Sequence, residues 1–285
     1  MLSVVLAVFA SGANACASVL QRMAARRPKH TASGGIGMLW ELAHQGPWLA
    51  GIGAMICGFL LQATALATGP IALVQPVLIL ELGFTLLLSG AVFTSSLHVR
   101  EWSAVIGMSA GLALLLLGLE PSGGDTRDAP TSAWVVGSAV TLGLVVVLVL
   151  AGHHYHHARR AEYFGIATGV MFGFTAVLVA GMTAAYRAGM AGVFTAWQTY
   201  AVLIVGPAGF FLLQLALRAG RLVASQPGMT LADPLVAIIW GIVVFGEEPR
   251  GGGWIVADLV GAALIAAFTV VLARSPLLSD DDGPD

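Results

Sequence analysis

The chain has 285 residues, of which 58% are hydrophobic and 10% are charged, and its formal net charge is −2. Soluble domains carry about 25% charged residues, so an ordinary soluble domain is excluded. The apolar residues come in continuous blocks of roughly 18 or more, which is typical of membrane-spanning helices. The sequence therefore predicts an all-α polytopic membrane protein whose first partner is the lipid bilayer, and nothing in it indicates a nucleic-acid partner.

Polar and turn-forming clusters divide the chain into nine predicted spans. They lie near 2–21, 48–67, 71–94, 102–119, 133–151, 163–185, 199–218, 222–245 and 254–273. The first is expected to be retained: "ANAC" (13–16) faintly resembles a lipoprotein cleavage site, but no basic residue precedes the apolar run. Glycine and charge interrupt 31–46, which is expected to lie on the surface or re-enter. Cys16 and Cys57 fall in apolar blocks, which predicts small buried side chains rather than a disulfide.

The basic residues predict the orientation. If the loop after span 1 is cytoplasmic, the inside loops hold ten of the 13 Lys and Arg residues and the outside loops hold three, Arg127, Arg187 and Arg250. The positive-inside rule then places the N-terminus outside and the C-terminus inside, across the cytoplasmic membrane. The acidic segment 274–285 is expected to be a disordered tail.

The chain repeats itself at an offset of 151 residues. "ALATG" (65–69) falls on "ALRAG" (216–220), and Gln75-Pro76 falls on Gln226-Pro227. One added residue then places Glu81 on Asp233. Residues 1–119 (spans 1–4) thus correspond to 152–273 (spans 6–9), with 120–151 as linker and connector helix. The offset of five spans predicts two inverted four-helix repeats, as in many secondary transporters. The alternative is a duplication kept only for packing.

The motifs "ALATGPIALVQPVL" (65–78), "QPGMTLADPLVAIIWGIVVFGEE" (226–248) and "GAALIAAF" (261–268) resemble the drug/metabolite transporter superfamily, with its EamA-like members. The count of nine spans resembles its NIPA-like magnesium-transporter branch. The resemblance implies a transporter of small solutes without a cofactor, and it does not identify the substrate. Small multidrug exporters of the superfamily use a carboxylate in the first helix, where this chain has Ser11 and Asn14. Proton coupling through such a carboxylate is therefore not implied.

Glu81 and Asp233 are the first candidate site residues, because a charge at the bilayer centre is costly and usually functional. Each is a cation ligand, a proton acceptor or a partner for a substrate amine, or else a protonated carboxyl bonded to a neighbouring helix. Gln75 and Gln226 stand beside helix-breaking prolines; at 100° per residue Gln226 shares a helix face with Asp233, whereas Gln75 and Glu81 diverge. Further candidates for a polar cavity wall, or for contacts between helices, are Asn14, Gln62, Thr64, Thr175 and Gln214. Metal binding is left open, because hard cations prefer more oxygen ligands than two carboxylates supply.

Other features carry weaker predictions. Glu247 and Glu248, at the end of span 8, are interpreted as boundary or gating residues, and Asp258 as interfacial. His153, His156 and His157 in "GHHYHHARR" (152–160) share a face if helical. That spacing suits a metal, but a solvated juxtamembrane face is the first interpretation. Small residues in spans 4 and 9 allow close helix approach, which suits pairing of the two halves, a homodimer or ordinary packing.

The sequence contains no phosphate-binding loop and no convergent nucleophile and base, so an enzyme is not predicted. The leading hypothesis is a secondary transporter that moves a small organic metabolite or drug-like solute by alternating access. A divalent-cation (Mg²⁺) transporter is the alternative. A non-transporting membrane scaffold or accessory subunit is the third hypothesis.

Overall fold

The computed structural model describes residues 1–25, 45–92, 98–119, 124, 126, 128–154, 158–186, 189–219 and 222–273. Within these ranges the regular elements are all helices: α1 (Leu2–Ala25), α2 (Gly46–Thr68), α3 (Ile71–Val77), α4 (Leu80–Val92), α5 (Val99–Leu119), α6 (Thr131–His154), α7 (Ala158–Ala185), α8 (Met190–Thr195), α9 (Trp197–Ala219), α10 (Leu222–Val243) and α11 (Trp254–Ala273). For residues 22, 25, 158, 217, 218 and 222–226 the structure describes the backbone but not the side chains.

In this described part of the chain, eight stretches are long and apolar enough to cross a membrane. They are α1, α2, α3 with α4, α5, α6, α7, α9 and α11, and α10 adds a shorter apolar stretch, Pro227–Val243. The prediction of an all-helical polytopic membrane protein is therefore confirmed. Of the segment 31–46, predicted to lie on the surface or re-enter, residues 31–44 lie outside the described residues, and Gly46 begins α2. The tail 274–285, predicted to be disordered, also lies outside them.

The third predicted span is two helices because Pro76 interrupts it. Proline has no N–H, and its ring crowds the carbonyl one turn upstream, so the regular ladder fails there. Leu78 N–H donates to Gln75 O at 3.1 Å and Ile79 N–H to Pro76 O at 3.2 Å, both bonds spanning three residues. Glu81 N–H donates to Leu78 O at 3.0 Å in the same tightened pattern. The break therefore lies just before Glu81.

Helix α7 forms the centre of the bundle, and the connector α6 lies at its edge. About five sixths of the apolar stretch of α7 is buried (83%), against 17% of that of α6. α7 packs along α9 and α10, α1 along α2 and α4, and α5 along α11; α3 packs on α10. The buried hydrophobic residues of α7 include Phe164, Phe174 and Leu178.

Glycines allow two of these helix pairs to approach closely. A Cβ at Gly173 would lie 2.5 Å from Asp233 O, and Gly169, one turn earlier on α7, faces Met229 O in the same way. Between α5 and α11 the approach is reciprocal, since a Cβ at Gly111 would meet Gly261 O at 2.9 Å and one at Gly261 would meet Gly111 O at 2.7 Å. The small-residue faces of predicted spans 4 and 9 thus pair within one chain, and a homodimer through these helices stays a prediction.

The expected burial of the two cysteines is wrong. Both are free thiols, and both are exposed on the surface of the helical bundle. Hydropathy predicts that a side chain is removed from water. In a membrane helix that condition is met by contact with lipid as well as by contact with protein.

Candidate functional site

The structure brings Glu81 and Asp233 together. Asp233 lies within electrostatic range of Glu81, although 152 positions separate them in the chain. Glu81 is in the first turn of α4, directly after the Pro76 break. Asp233 is on α10, immediately before Pro234. Both side chains are half-buried between helices that the repeat places in different halves of the molecule.

Asn14 of α1 completes this cluster, because its side chain hydrogen-bonds to Glu81. The space for Asn14 comes from Gly58 of α2: a Cβ there would overlap Asn14 Oδ1 and lie 3.0 Å from Asn14 Cγ. We call Asn14, Glu81 and Asp233 the acidic cluster. Three different segments supply it, which makes it a tertiary site.

Ser11, one turn before Asn14, secures the backbone beside the break. Its buried hydroxyl is 2.8 Å from Ala7 O and 3.3 Å from Val77 O, and can donate to either. Glu81 N–H donates to Leu78 O, so Val77 O lacks a regular helical partner, and the Ser11 hydroxyl lies within hydrogen-bond reach of it. Helix α1 thus presents Ser11 to the break and Asn14 to the carboxylate that follows it.

Two buried polar atoms, one on α10 and one on α3, have no hydrogen-bond partner among the described residues. They are Asp233 Oδ1 and Gln75 Nε2, and Gln75 is only 2% exposed. A buried polar atom without a partner is costly, and such atoms commonly face a water, an ion or a ligand. Gln75 is on α3 and Asp233 is on α10, and these two helices pack against each other.

The remaining polar candidates are distributed differently. Gln62 is half-buried and Gln214 is exposed on α9. The hydroxyl of Thr175 donates to Met171 O of its own helix at 2.8 Å, and that of Thr64 to Leu60 O at 2.7 Å. The side chain of Gln226 lies outside the described residues. None of these four described side chains is shown bonding to the acidic cluster.

Glu247 has a structural partner that the sequence did not reveal. Its carboxylate accepts hydrogen bonds from Ile71 N–H at 2.8 Å and Ala72 N–H at 3.0 Å, the first N–H groups of α3. The residue is 5% exposed. Burial raises the pKa of Glu247, and the hydrogen bonds from Ala72 and Ile71 act in the opposite direction. Its neighbour Glu248 is exposed.

An aromatic cluster lies where α6, α7 and α10 meet. Trp134 and Trp240 have ring centroids 5.3 Å apart, and Trp240 contacts Phe174 at 5.5 Å. Trp240 Nε1–H donates to Thr141 Oγ1 at 3.0 Å. A tryptophan beside the start of a membrane helix usually lies at the membrane interface, but Trp134 is only 5% exposed and lies within this cluster. The only feature of the sequence that pointed toward this aromatic cluster is that its tryptophans lie near helix ends.

A groove of about 620 Å³ lies on the side of the bundle between α1, α2 and α4. Its lining is apolar, with Phe9, Gly12, Ala13, Cys16, Cys57, Leu61, Phe84, Leu87 and Leu88. Phe9 is largely exposed, so the groove faces the surroundings of the bundle. It is separate from the acidic cluster, whose atoms are not among its lining.

Among the residues whose placement is described, no group of three or more His, Cys, Asp or Glu lies close enough to hold a metal ion. His153 Nδ1 is 2.8 Å from Val149 O, within its own helix. His156 and His157 lie outside the described residues. The acidic cluster offers two carboxylates and one amide, all of which can supply oxygen ligands.

Comparisons with known proteins add one relative. No family model matches the chain, and no solved structure matches it. The chain is 28% identical over 232 residues to an uncharacterized protein of Corynebacterium glutamicum, an alignment that covers 80% of this chain and 79% of that protein. The chain is therefore similar over most of its length to a bacterial protein of nearly the same size.

Proposed function

We propose that the chain is a secondary transporter that moves a small organic solute by alternating access, with the acidic cluster at its binding centre. The observation that carries the proposal is the approach of Glu81 to Asp233 inside a bundle of membrane-length helices. Charged groups at that depth are expensive and mark ion or substrate pathways.

The helix contacts support two inverted repeats. α1 packs on α2 as α7 packs on α9, and α1 packs on α4 as α7 packs on α10. The contacts of α3 with α10 and of α5 with α11 join corresponding helices of the two halves. This is the pattern expected about a pseudo-two-fold axis, with a site at the interface of the repeats.

Two neighbouring carboxylates in a medium of low dielectric need a positive counterpart. Two like charges repel more strongly in such a medium than in water. A proton, a substrate ammonium group or a metal cation would relieve this repulsion. Because Glu81 and Asp233 belong to different halves, rocking of one half against the other changes their separation and hence the affinity for that cation.

The resemblance to the drug/metabolite transporter superfamily points to the same function. The two carboxylates and the Asn14 amide are also ligand types that Mg²⁺ accepts, so a magnesium carrier is the second candidate. The proposed orientation, N-terminus outside and C-terminus inside, rests on the distribution of Lys and Arg.

Transport by purified protein in proteoliposomes tests the proposal. The assay compares a panel of cationic, zwitterionic and neutral organic solutes, and Mg²⁺, for the wild type, Glu81→Gln and Asp233→Asn. The matched control is Glu248→Gln, because that carboxylate is exposed. We expect flux of one organic solute to fall at least about tenfold in both cluster variants, the loss of one charge-assisted interaction, and to persist in the control.

The other outcomes discriminate the alternatives. Flux of Mg²⁺ alone, abolished by the same two substitutions, would favour the magnesium carrier. Unchanged flux in both variants would remove the acidic cluster from the mechanism. No flux of any solute, with protein that is folded and monodisperse, would favour the scaffold.

A further inference from the structure

The first turn of α3 is capped by a residue from the far end of the sequence. Glu247 Oε1 accepts from Ile71 N–H and Glu247 Oε2 from Ala72 N–H, across separations of 176 and 175 residues. A helix begins with unpaired N–H groups and a partial positive charge, so a carboxylate is a strong partner there. The residue at the usual capping position is Pro70, which makes no side-chain cap. The cap of α3 is therefore supplied by a distant segment of the chain, whereas most helices are capped by a residue next to their own first turn.

Local geometry holds Glu247 in this position. Gly246, three residues after the end of α10, has a φ of 69°, a left-handed conformation that costs glycine little. The chain then turns back, and Glu247 N–H donates to Gly241 O at 2.9 Å. Gly241 has no Cβ where Glu247 Oε2 lies, and Gly124 (φ 71°) packs on the Glu247 backbone from the α5–α6 linker. Three glycines and one backbone hydrogen bond thus direct the Glu247 carboxylate toward the start of α3.

The position of this cap in the bundle gives it a role. α3 leads through the Pro76 break to Glu81, and α10 carries Asp233. The cap joins the starting end of α3 to the finishing end of α10, which are the same end of the bundle and the one predicted to face outside. Because α3 and α10 pack against each other, separation of these two helix ends would open the bundle at that end.

We propose that Glu247 is the latch of the outer gate: its two hydrogen bonds to the α3 N-terminus hold the halves together at that end, and they break when the gate opens. This inference rests on the proposed function and adds its gating residue. Breaking the latch exposes Ile71 and Ala72 N–H to water, so the first turn of α3 becomes accessible in the open state. Ala72 is 0% exposed when the latch is closed.

Thiol labelling at Ala72 tests the latch. Both native cysteines are exposed, so Cys16 and Cys57 are first replaced by alanine and Ala72→Cys is introduced as the reporter. The rate of reaction with a membrane-impermeant maleimide is measured in proteoliposomes with reagent on both faces. Glu247→Ala removes both acceptors, and Glu247→Gln keeps the size and one acceptor oxygen. Glu248→Ala is the matched control, an adjacent exposed carboxylate.

We expect labelling at least about tenfold faster in Glu247→Ala than in the parent, which corresponds to about 1.4 kcal/mol in the opening equilibrium. Glu247→Gln should fall between them, and Glu248→Ala should match the parent. Equal rates in Glu247→Ala and the parent, or equal acceleration by Glu248→Ala, would overturn the latch. If Glu247→Ala does not fold, Glu247→Gln against Glu248→Gln decides. Because labelling needs no substrate, a failure of transport with accelerated labelling would refute the carrier and keep the latch.

Discussion

Substitution of Gly58 by alanine should disrupt the acidic cluster through Asn14. A Cβ at Gly58 would overlap Asn14 Oδ1 and lie 3.0 Å from Asn14 Cγ, whereas its next contact, Ala10 O, is at 3.4 Å. The Asn14 side chain must therefore leave its position, and its hydrogen bond to Glu81 is lost. Gly53 is the matched control on the same helix, because nothing lies within 4 Å of a Cβ there.

The expected size of the effect follows from two opposing contributions. Replacing glycine by alanine inside a helix stabilises it by about 1 kcal/mol, at Gly53 and Gly58 alike. Losing a hydrogen bond to a carboxylate costs about 1.5–3 kcal/mol. Gly58→Ala should thus be about 1.5–3 kcal/mol less stable than Gly53→Ala. At roughly 2–4 °C per kcal/mol, the gap in Tm is large enough to measure.

A double-mutant cycle isolates the cause. In an Asn14→Ala background the obstructing side chain is absent, so Gly58→Ala should be as favourable as Gly53→Ala. The assay is thermal unfolding of the purified protein in detergent, followed by circular dichroism, with transport measured on the same samples. If Gly58→Ala destabilises the protein equally with and without Asn14, the steric link between Gly58, Asn14 and Glu81 is wrong.

Two further predictions concern the aromatic cluster and the latch. Thr141→Val should destabilise the protein by about 1–3 kcal/mol, because Trp240 Nε1–H would lose its acceptor while staying buried. Thr64→Val, at an exposed threonine, should be close to neutral. Equal Tm values for the two variants would contradict the structural role of the Trp240–Thr141 hydrogen bond. Burial raises the pKa of Glu247, so this carboxyl group holds a proton more tightly in the folded protein than in the unfolded chain. The stability that Glu247 contributes is therefore present at acid pH and is lost as the pH rises through the raised pKa. The Tm of the wild type relative to Glu247→Gln should therefore fall as the pH is raised from below the ordinary glutamate value, and a difference that rises with pH would refute this sign.

Several features could be read from the sequence because they depend on local chemistry. Apolar blocks require a membrane or a protein interior, so their bounds were predicted closely: the last span was placed at 254–273, and α11 is Trp254–Ala273. The proline in "LVQPVL" predicted a disturbance of the third span, and the helix breaks there. The repeat identifies Glu81 and Asp233 as equivalent positions.

Tertiary structure decided which groups meet. Hydropathy assigns similar values to side chains facing lipid and protein, so it could not show that Cys16, Cys57 and Gln214 are exposed or that Trp134 is buried. Nor could it show that Asn14 bonds to Glu81 or that Glu247 caps α3, since these partners are 67 and about 175 residues apart. Local sequence determines where a chain leaves water, because transfer free energy is a property of each segment; contacts between segments depend on how all the helices pack, and that packing assembled both the acidic cluster and the cap on α3.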